Sequence, residues 1–502
     1  MALGWKLHGD GRITGPTDVV APDERLSWGK TVGLGAQHVV AMFGATFVFP
    51  LIMGLNPQLA ILMSGIATIC FLLIVNGKVP SYLGTSASFV GGVVAIGLQI
   101  KASNPKANAA VIAPSVTGAI LVAGAVLALV GVAIHFLGSA VVHKVLPPVV
   151  TGAVVMLIGF NLAPVVASIY WPQDQWIALI VMVAVIAMSV GLRGFIGRIS
   201  IFLGLILGYL LSWLFDRGFG QITSYNAAAG KVDTHWRVNW DGVKSAPWFG
   251  FPPHTDAATG VVGWHLPSFN IAFILLVLPA VIALIAENTG HVKAVAEMTG
   301  HDLDPVMGRA IAADGVGTVI ATSVGGSPTT TYAENIGVMA ATRVYSTAAY
   351  FVAAAVAILF GFSPKFGAMV SATPGGVLGG ITVVLYGMIG LLGAKIWKEN
   401  NVDFGNPLNL VPIAAGIIIG IGNTSLVFTK SFTLSGIALG TIVTIGAYHL
   451  ARALATPDLR ARADGAVIAV GNVAVENEPG GEESAPLYRD EDVAPTEHRP
   501  KP

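Results

Sequence analysis

The amino-acid sequence predicts an all-α protein that crosses a membrane many times. Three observations carry this. Of 502 residues, 54% are hydrophobic and 11% charged, with a mean hydropathy of +0.74, whereas ordinary soluble domains are roughly 25% charged. Apolar segments of roughly 17 to 25 residues, the length that spans a bilayer as helix, recur from Thr31 to Leu450. The 61 glycines let membrane helices approach closely and let them break. The formal net charge is zero and no basic block occurs, which removes the electrostatic footprint of a nucleic-acid binder.

In chain order, residues 1–30 are polar and contain Asp10, Asp18, Asp23 and Glu24. They lack the basic start and short apolar core of a signal peptide, so this segment is expected to stay cytoplasmic. Spans are expected near 31–54, 58–76, 112–137, 147–168, 175–192, 196–215, 269–292, 306–324, 346–362, 376–393, 409–424 and 432–450. Two shorter segments, about 84–100 and 332–343, are interrupted by small and polar residues, which brings the total to about fourteen. In each half the broken segment comes third and four more follow. Seven segments return the second half from the opposite side, so two inverted repeats are expected. Cys70, the lone cysteine, lies in an apolar run and is read as a packing residue.

Basic residues in short loops set the orientation. With the amino terminus inside, Lys78, Lys144, Arg193, Arg198, Lys293, Arg309, Arg343, Lys395 and Lys398 fall in cytoplasmic loops. Outside short loops hold Lys101, Lys106, Lys365 and Lys430, a bias that puts both termini in the cytoplasm. Residues 216–268 form one long outer loop with Trp236, Trp240, Trp248 and Trp264, read as an interfacial aromatic lid. His235, His254 and His265 in this loop have no metal-ligand spacing, and no cofactor or metal is expected. Residues 456–502, rich in Pro, Glu, Asp and Ala, are expected to be a disordered cytoplasmic tail.

Chemistry concentrates in few places. The polar stretch 327–343 contains Glu334 and Asn335, which at membrane depth need hydrogen-bond partners of the kind a small polar solute supplies. Free N–H groups at the start of a helix there would bind an anionic or carbonyl-bearing ligand, if Tyr332 and Ala333 are extended and Asn335 begins the helix. The other reading makes Glu334 a capping carboxylate on its own backbone amides. Glu287 and His291, four residues apart, share one helix face, and an ionisable residue inside a span marks a functional site unless the two simply pair with each other. Gln37 and His38 sit in an apolar segment, where a buried histidine is as readily a packing residue as a functional one. Asp314, alone in another apolar segment, must be matched by a neighbour or protonated, a property that suits a proton carrier.

Gln37-His38, Glu287-x3-His291 and above all Glu334-Asn335-x-Gly337-x4-Thr342-Arg343 resemble the signature of the nucleobase and ascorbate transporter family (nucleobase:cation symporter-2 type), most closely its bacterial uracil permeases. The similarity runs over about residues 25–450 and includes 79–86 and Tyr386-Gly387. It implies about fourteen transmembrane segments in two inverted repeats, with short strands in segments 3 and 10. A core domain of segments 1–4 (31–137) and 8–11 (269–362) would move against a gate domain of segments 5–7 (147–215) and 12–14 (376–450). It also implies a proton-coupled symporter of a nucleobase in the plasma (inner) membrane, in contact with lipid and forming a homodimer.

By the same resemblance, Glu287 accepts from a pyrimidine ring N–H and Glu334 holds the other edge. His291 lies beneath the ring or bridges through water, and His38 steadies Glu334. Ala45, Tyr332 and Ala333 line the site mainly with backbone, and Tyr386 of the gate domain closes over it. Where the uracil permeases carry a phenylalanine against the base, this chain has Ala87, with Phe89 two residues on and so on the same face if the strand continues. Asp314 resembles the purine-type members instead. The residue that leads the long motif, Glu334, favours uracil, so uracil or a related pyrimidine is the expected substrate, with a purine such as xanthine or urate, or passive facilitation, as alternatives. An enzyme is not expected, since no nucleophile with an adjacent base and no metal triad is present.

Overall fold

The computed structural model describes residues 4–13, 18–138, 146–193, 196–197, 199–226, 231–254, 261–429 and 432–463. Lys144, Arg198, Lys430 and residues 464–502 of the expected tail lie outside them. The fold is mostly helical, and among the described residues eight helices are long and apolar enough to cross a membrane. The first residues of the expected tail are ordered otherwise than anticipated: Pro457–Ala463 is a short helix, held where Arg462 donates to Asp403 at 2.7 Å.

The helices pack in two groups. In one, Trp28–Ile52, Pro57–Ile74, Ala109–Leu137, Asp304–Ser323 and Thr347–Gly361 lie against one another. In the other, Pro148–Phe160, Gln175–Gly191, Ser200–Phe219, Gly375–Glu399, Pro407–Ile421 and Gly436–Leu454 do so. Pro279–Thr299 touches both, meeting Asp304–Ser323 on one side and Pro148–Phe160 on the other. Glu287 thus lies on the helix where the two groups meet. The span expected at 147–168 is not one straight helix: it ends at Phe160 and continues as Ala163–Val165 and a wider π-type turn, Val166–Tyr170.

Between Ala109–Leu137 and Asp304–Ser323, glycine explains the closeness. A Cβ on Gly315 would run into the Ala128 nitrogen and the Gly124 oxygen, and one on Gly131 into the Ala312 nitrogen. Backbone thus rests on backbone, as small residues permit in lipid. Gly315→Val is expected to force these helices apart at a cost on the order of 3 kcal/mol. A melting temperature of purified protein unchanged by this substitution would contradict the packing account.

Two short strands interrupt the helices. Leu83–Thr85 and Thr329–Thr331 pair antiparallel, Leu83 opposite Thr331 and Thr85 opposite Thr329. In lipid every backbone group must be bonded internally, so a two-stranded ribbon has two edges to satisfy. Two threonines do this in the same way. Thr68 accepts from the Leu83 N–H at 2.9 Å, and Thr318 accepts from the Thr329 N–H at 3.0 Å while donating to the Thr329 carbonyl at 3.0 Å.

Outside the spans, the loop after Phe219 forms a hairpin, Ile222–Asn226 with Lys231–His235, and a short helix, Asp241–Ser245. Arg237 fixes the hairpin to the second helix group. Its Nε donates to Asp174 at 2.7 Å and its Nη1 to Asp216 at 3.1 Å. Further along, the loop crosses to the first group: the Lys365 ammonium donates to the Val243 carbonyl, and His265, buried, meets Thr117 at 3.1 Å. Trp236, Trp248 and Trp264 remain exposed.

The N-terminal segment docks rather than trailing. Lys6–Leu7 pairs with Glu24–Arg25, and Val20 bridges to Val344. His8 contacts Glu24 at 2.7 Å and Asp18 at 2.9 Å. Its pKa is raised, first by the Glu24 hydrogen bond, against opposing desolvation, and further by Asp18. A raised folded pKa adds stability that is full below the ordinary value of about 6.5 and is lost as pH climbs through the raised one. Hydrogen exchange at residues 6–8 should therefore quicken, beyond its intrinsic pH dependence, above neutrality. Constant protection from pH 6 to pH 9 would refute the link.

Candidate functional site

The ribbon positions the site. Strand Thr329–Thr331 leads through extended Tyr332 into helix Ala333–Thr342, which begins at Ala333, earlier than the expected start at Asn335. Its N-cap residue Tyr332 supplies no side-chain cap, and the Glu334 carboxylate turns back onto its own backbone N–H, the capping arrangement that the sequence left open. Glu334 sits in that first turn and is partly accessible, and Ala333 beside it is exposed. The Tyr332 ring does not point at this opening. It lies over Gly84, where a side chain would strike it, and its hydroxyl donates to the Thr85 carbonyl at 2.8 Å and accepts from Thr46 at 3.2 Å. Any Tyr332 contribution to the site is therefore through its backbone.

Glu287 and His291 stand one turn apart on Pro279–Thr299, both partly accessible, whereas Asn288 between them is fully buried. His291 does not pair with Glu287: its Nδ1 meets the Thr331 hydroxyl at 2.7 Å. That contact brings the Glu287 helix against the second strand. Glu287 is near enough to both Asp314 and Glu334 for the charges to interact. Asp314 itself is fully buried, and its Oδ2 accepts from the Asn288 amide at 2.7 Å.

His38 lies deeper than its expected role. Its ring is buried, packs 4.3 Å from the Tyr350 ring, and takes a 3.2 Å contact from the Asn335 amide, which also donates to the His38 carbonyl at 2.9 Å. The partner is thus Asn335 and not Glu334, and His38 can steady the carboxylate only through the next residue. The expected continuation of the first strand to Phe89 does not occur. Strand Leu83–Thr85 ends, Ser86 accepts from the Ser88 N–H, and Ala87–Phe89 turns as a 3₁₀-helix. In such a turn residues two apart do not share a face. Phe89 is wholly buried in the apolar core, while Ala87 keeps some exposure.

Tyr386 makes no hydrogen bond to these residues. It is buried and lines a cavity of about 460 Å³ whose other walls are Gly159, Phe160, Ala163, Val166, Ala167, Trp171, Val383 and Gly387, all from the second helix group. Ala45 lies on helix Trp28–Ile52, but its side chain is outside the described residues. A second cavity, about 1260 Å³, opens beneath the hairpin of Ile222–Asn226 and Lys231–His235 among Asp174, Asp216, Arg237 and Trp240, and none of the expected site residues lines it. Sequence reasoning missed Asn288 and Thr331. The signal was present in both: a polar residue next to Glu287 in an apolar helix, and the end of a run of three threonines.

The family model described as "Permease family" matches residues 29–428. The chain belongs to the nucleobase/ascorbate transporter family. As a member of this permease family it is a multi-pass membrane transporter and not an enzyme. It is 43% identical over 440 residues to the protein named as pyrimidine permease RutG of Escherichia coli (strain K12), covering 87% of this chain and 92% of that one. The uracil permease of Bacillus caldolyticus is 36% identical over 434 residues, covering 84% and 91%. That of Bacillus subtilis (strain 168) is 32% identical over 448 residues, covering 86% and 93%. Among solved structures, the murine Slc26a9 anion transporter in the inward-facing state superposes with a TM-score of 0.60 over 86% of this chain and 70% of that one. At 12% identity this likeness concerns the fold alone.

Proposed function

We propose that this transporter is a proton-coupled symporter that imports uracil or a related pyrimidine base. The observation that carries the reading is the convergence at the ribbon. The helix start bearing Glu334 and the Glu287–His291 face, tied to it through Thr331, leave polar side chains partly accessible inside an otherwise apolar protein. The relatives' names, uracil permease and pyrimidine permease, support the substrate class. Glu287 accepts a ring N–H and Glu334, with the helix N–H groups, holds the other edge. Two carboxylates facing one uncharged base repel in low dielectric, and a proton bound by one of them relieves the repulsion. Proton entry and base entry are coupled in this way, with Asp314, His38 and His291 as nearby buried or half-buried groups.

The first helix group serves as the core domain and the second as the gate domain, and the core moves against the gate in a homodimer. The matching threonine bonds, Thr68 to Leu83 and Thr318 to Thr329, support two inverted repeats of seven segments. Both termini face the cytoplasm across the plasma (inner) membrane, as the basic residues of the short loops favour. Ala87, with Phe89 withdrawn into the core, leaves no phenylalanine ring against the base, and this favours a second reading in which a larger purine is carried.

Uptake of labelled uracil in competition with unlabelled bases decides between them. Uracil is expected to compete best, and xanthine outcompeting it at equal concentration would overturn the pyrimidine assignment. Removing an imposed proton gradient should abolish accumulation above equilibrium. Accumulation that survives its removal would overturn the coupling.

A further inference from the structure

Four side chains form a line of hydrogen bonds behind the site. The Asn288 Nδ2 lies 2.9 Å from the Leu284 carbonyl and 2.7 Å from Asp314 Oδ2. The Thr331 hydroxyl lies 3.1 Å from Asn288 Oδ1, and His291 Nδ1 lies 2.7 Å from that same hydroxyl. Asn288, Thr331 and Asp314 are all buried, away from bulk water.

The direction of each bond follows from what each atom can do. A backbone carbonyl only accepts, so the Asn288 atom facing Leu284 must be the amide NH2, whatever the protonation of Asp314. The other Asn288 atom is then the carbonyl oxygen, which only accepts. Thr331 has one hydroxyl proton, and it is committed to that oxygen. Toward His291 the hydroxyl can only accept, so Nδ1 must carry a proton. A neutral His291 therefore has its bare lone pair on Nε2, the nitrogen not used by Thr331, on a side chain that keeps partial exposure.

We propose that Asn288 and Thr331 are positioning residues that hold neutral His291 with Nε2 as a hydrogen-bond acceptor, so that it selects an N–H donor of the substrate or of a water bound to it. Every donor in the line points toward Asp314, and a carboxylate there polarises the whole chain in one sense. With Glu287 one turn away and ionised, this helix face presents acceptors only. It fits the lactam N–H edge of a base and disfavours an edge that offers only ring nitrogens or carbonyls. The selection of the base rests on the nucleobase reading above, whereas the direction of the bonds does not.

The ¹⁵N NMR signals of His291, identified by their loss in His291→Gln, separate the two levels. Near neutral pH, without substrate, the wild type is expected to show a bare Nε2. Thr331→Val should move the signal toward a bare Nδ1, and Thr331→Ser should leave it in place. A bare Nδ1 in the wild type, or a Thr331→Val spectrum like the wild type, overturns the assignment. In transport, Thr331→Val should weaken apparent uracil affinity about tenfold, the loss of one hydrogen bond to a fixed acceptor, and Thr331→Ser should restore it. Unchanged affinity in Thr331→Val overturns the selective role of His291. A bare Nε2 in a wild-type protein for which no nucleobase competes instead overturns the nucleobase reading and leaves the bond direction supported.

Discussion

Glu287→Gln is expected to abolish gradient-driven accumulation while the protein stays folded. The amide has nearly the same shape, so the packing of Pro279–Thr299 is kept, but the anionic acceptor and the site for a proton are both gone. Hydrogen bonds to a charged group contribute roughly 1.5–3 kcal/mol, so base affinity should fall about tenfold to a hundredfold. Coupling should fail outright, because an amide takes up no proton. Proteoliposomes loaded under an imposed pH gradient provide the measurement. Concentrative uptake by Glu287→Gln equal to wild type would remove Glu287 from the mechanism.

The second large effect is expected far from the ribbon. Arg237→Met leaves Asp174 and Asp216 facing each other with their shared cation removed, and the side chains of all three are at most 10% exposed. Breaking a buried ion pair from one side costs about 3 kcal/mol or more. Asp174 also caps helix Gln175–Gly191 through the Trp176 and Ile177 amides, and Asp216 accepts from the Arg237 and Val238 amides, so some of each carboxylate's bonding survives. The damage should therefore localise to the hairpin and be read as faster proteolysis within residues 221–238 and a lower melting temperature. If neither changes, the clamp contributes nothing to holding the loop.

Much of this was legible in the chain because lipid imposes strict rules. A run of apolar residues as long as 109–137 can only be a span, and an interrupted one such as 329–342 must satisfy its backbone by some unusual means. Glu287, His291 and Glu334 stood out because a charge in such surroundings needs a reason. What the sequence does not carry is the partner. Asn335 turns out to serve His38, and Tyr332 to brace Gly84, because those contacts join residues from opposite halves of the chain. Phe89 was misplaced by assuming that a strand continues, when the Ser86 hydroxyl turns the chain after Thr85. The bond from Ser86 depends on a single rotamer, which no pattern of apolar residues encodes.

The threonine bonds at the two ends of the ribbon have a consequence for motion. Thr68 and Thr318 belong to the long helices Pro57–Ile74 and Asp304–Ser323, and through them each strand is fastened to a long helix. A binding pocket built on a free loop could reshape itself around its cargo while the rest of the molecule stood still. Here the ribbon is bonded at both edges to long helices, so a shift of the ribbon strains those bonds unless the helices follow. If the solute binds at this ribbon as proposed, the pocket is expected to travel with those helices, like a seat bolted to a moving carriage.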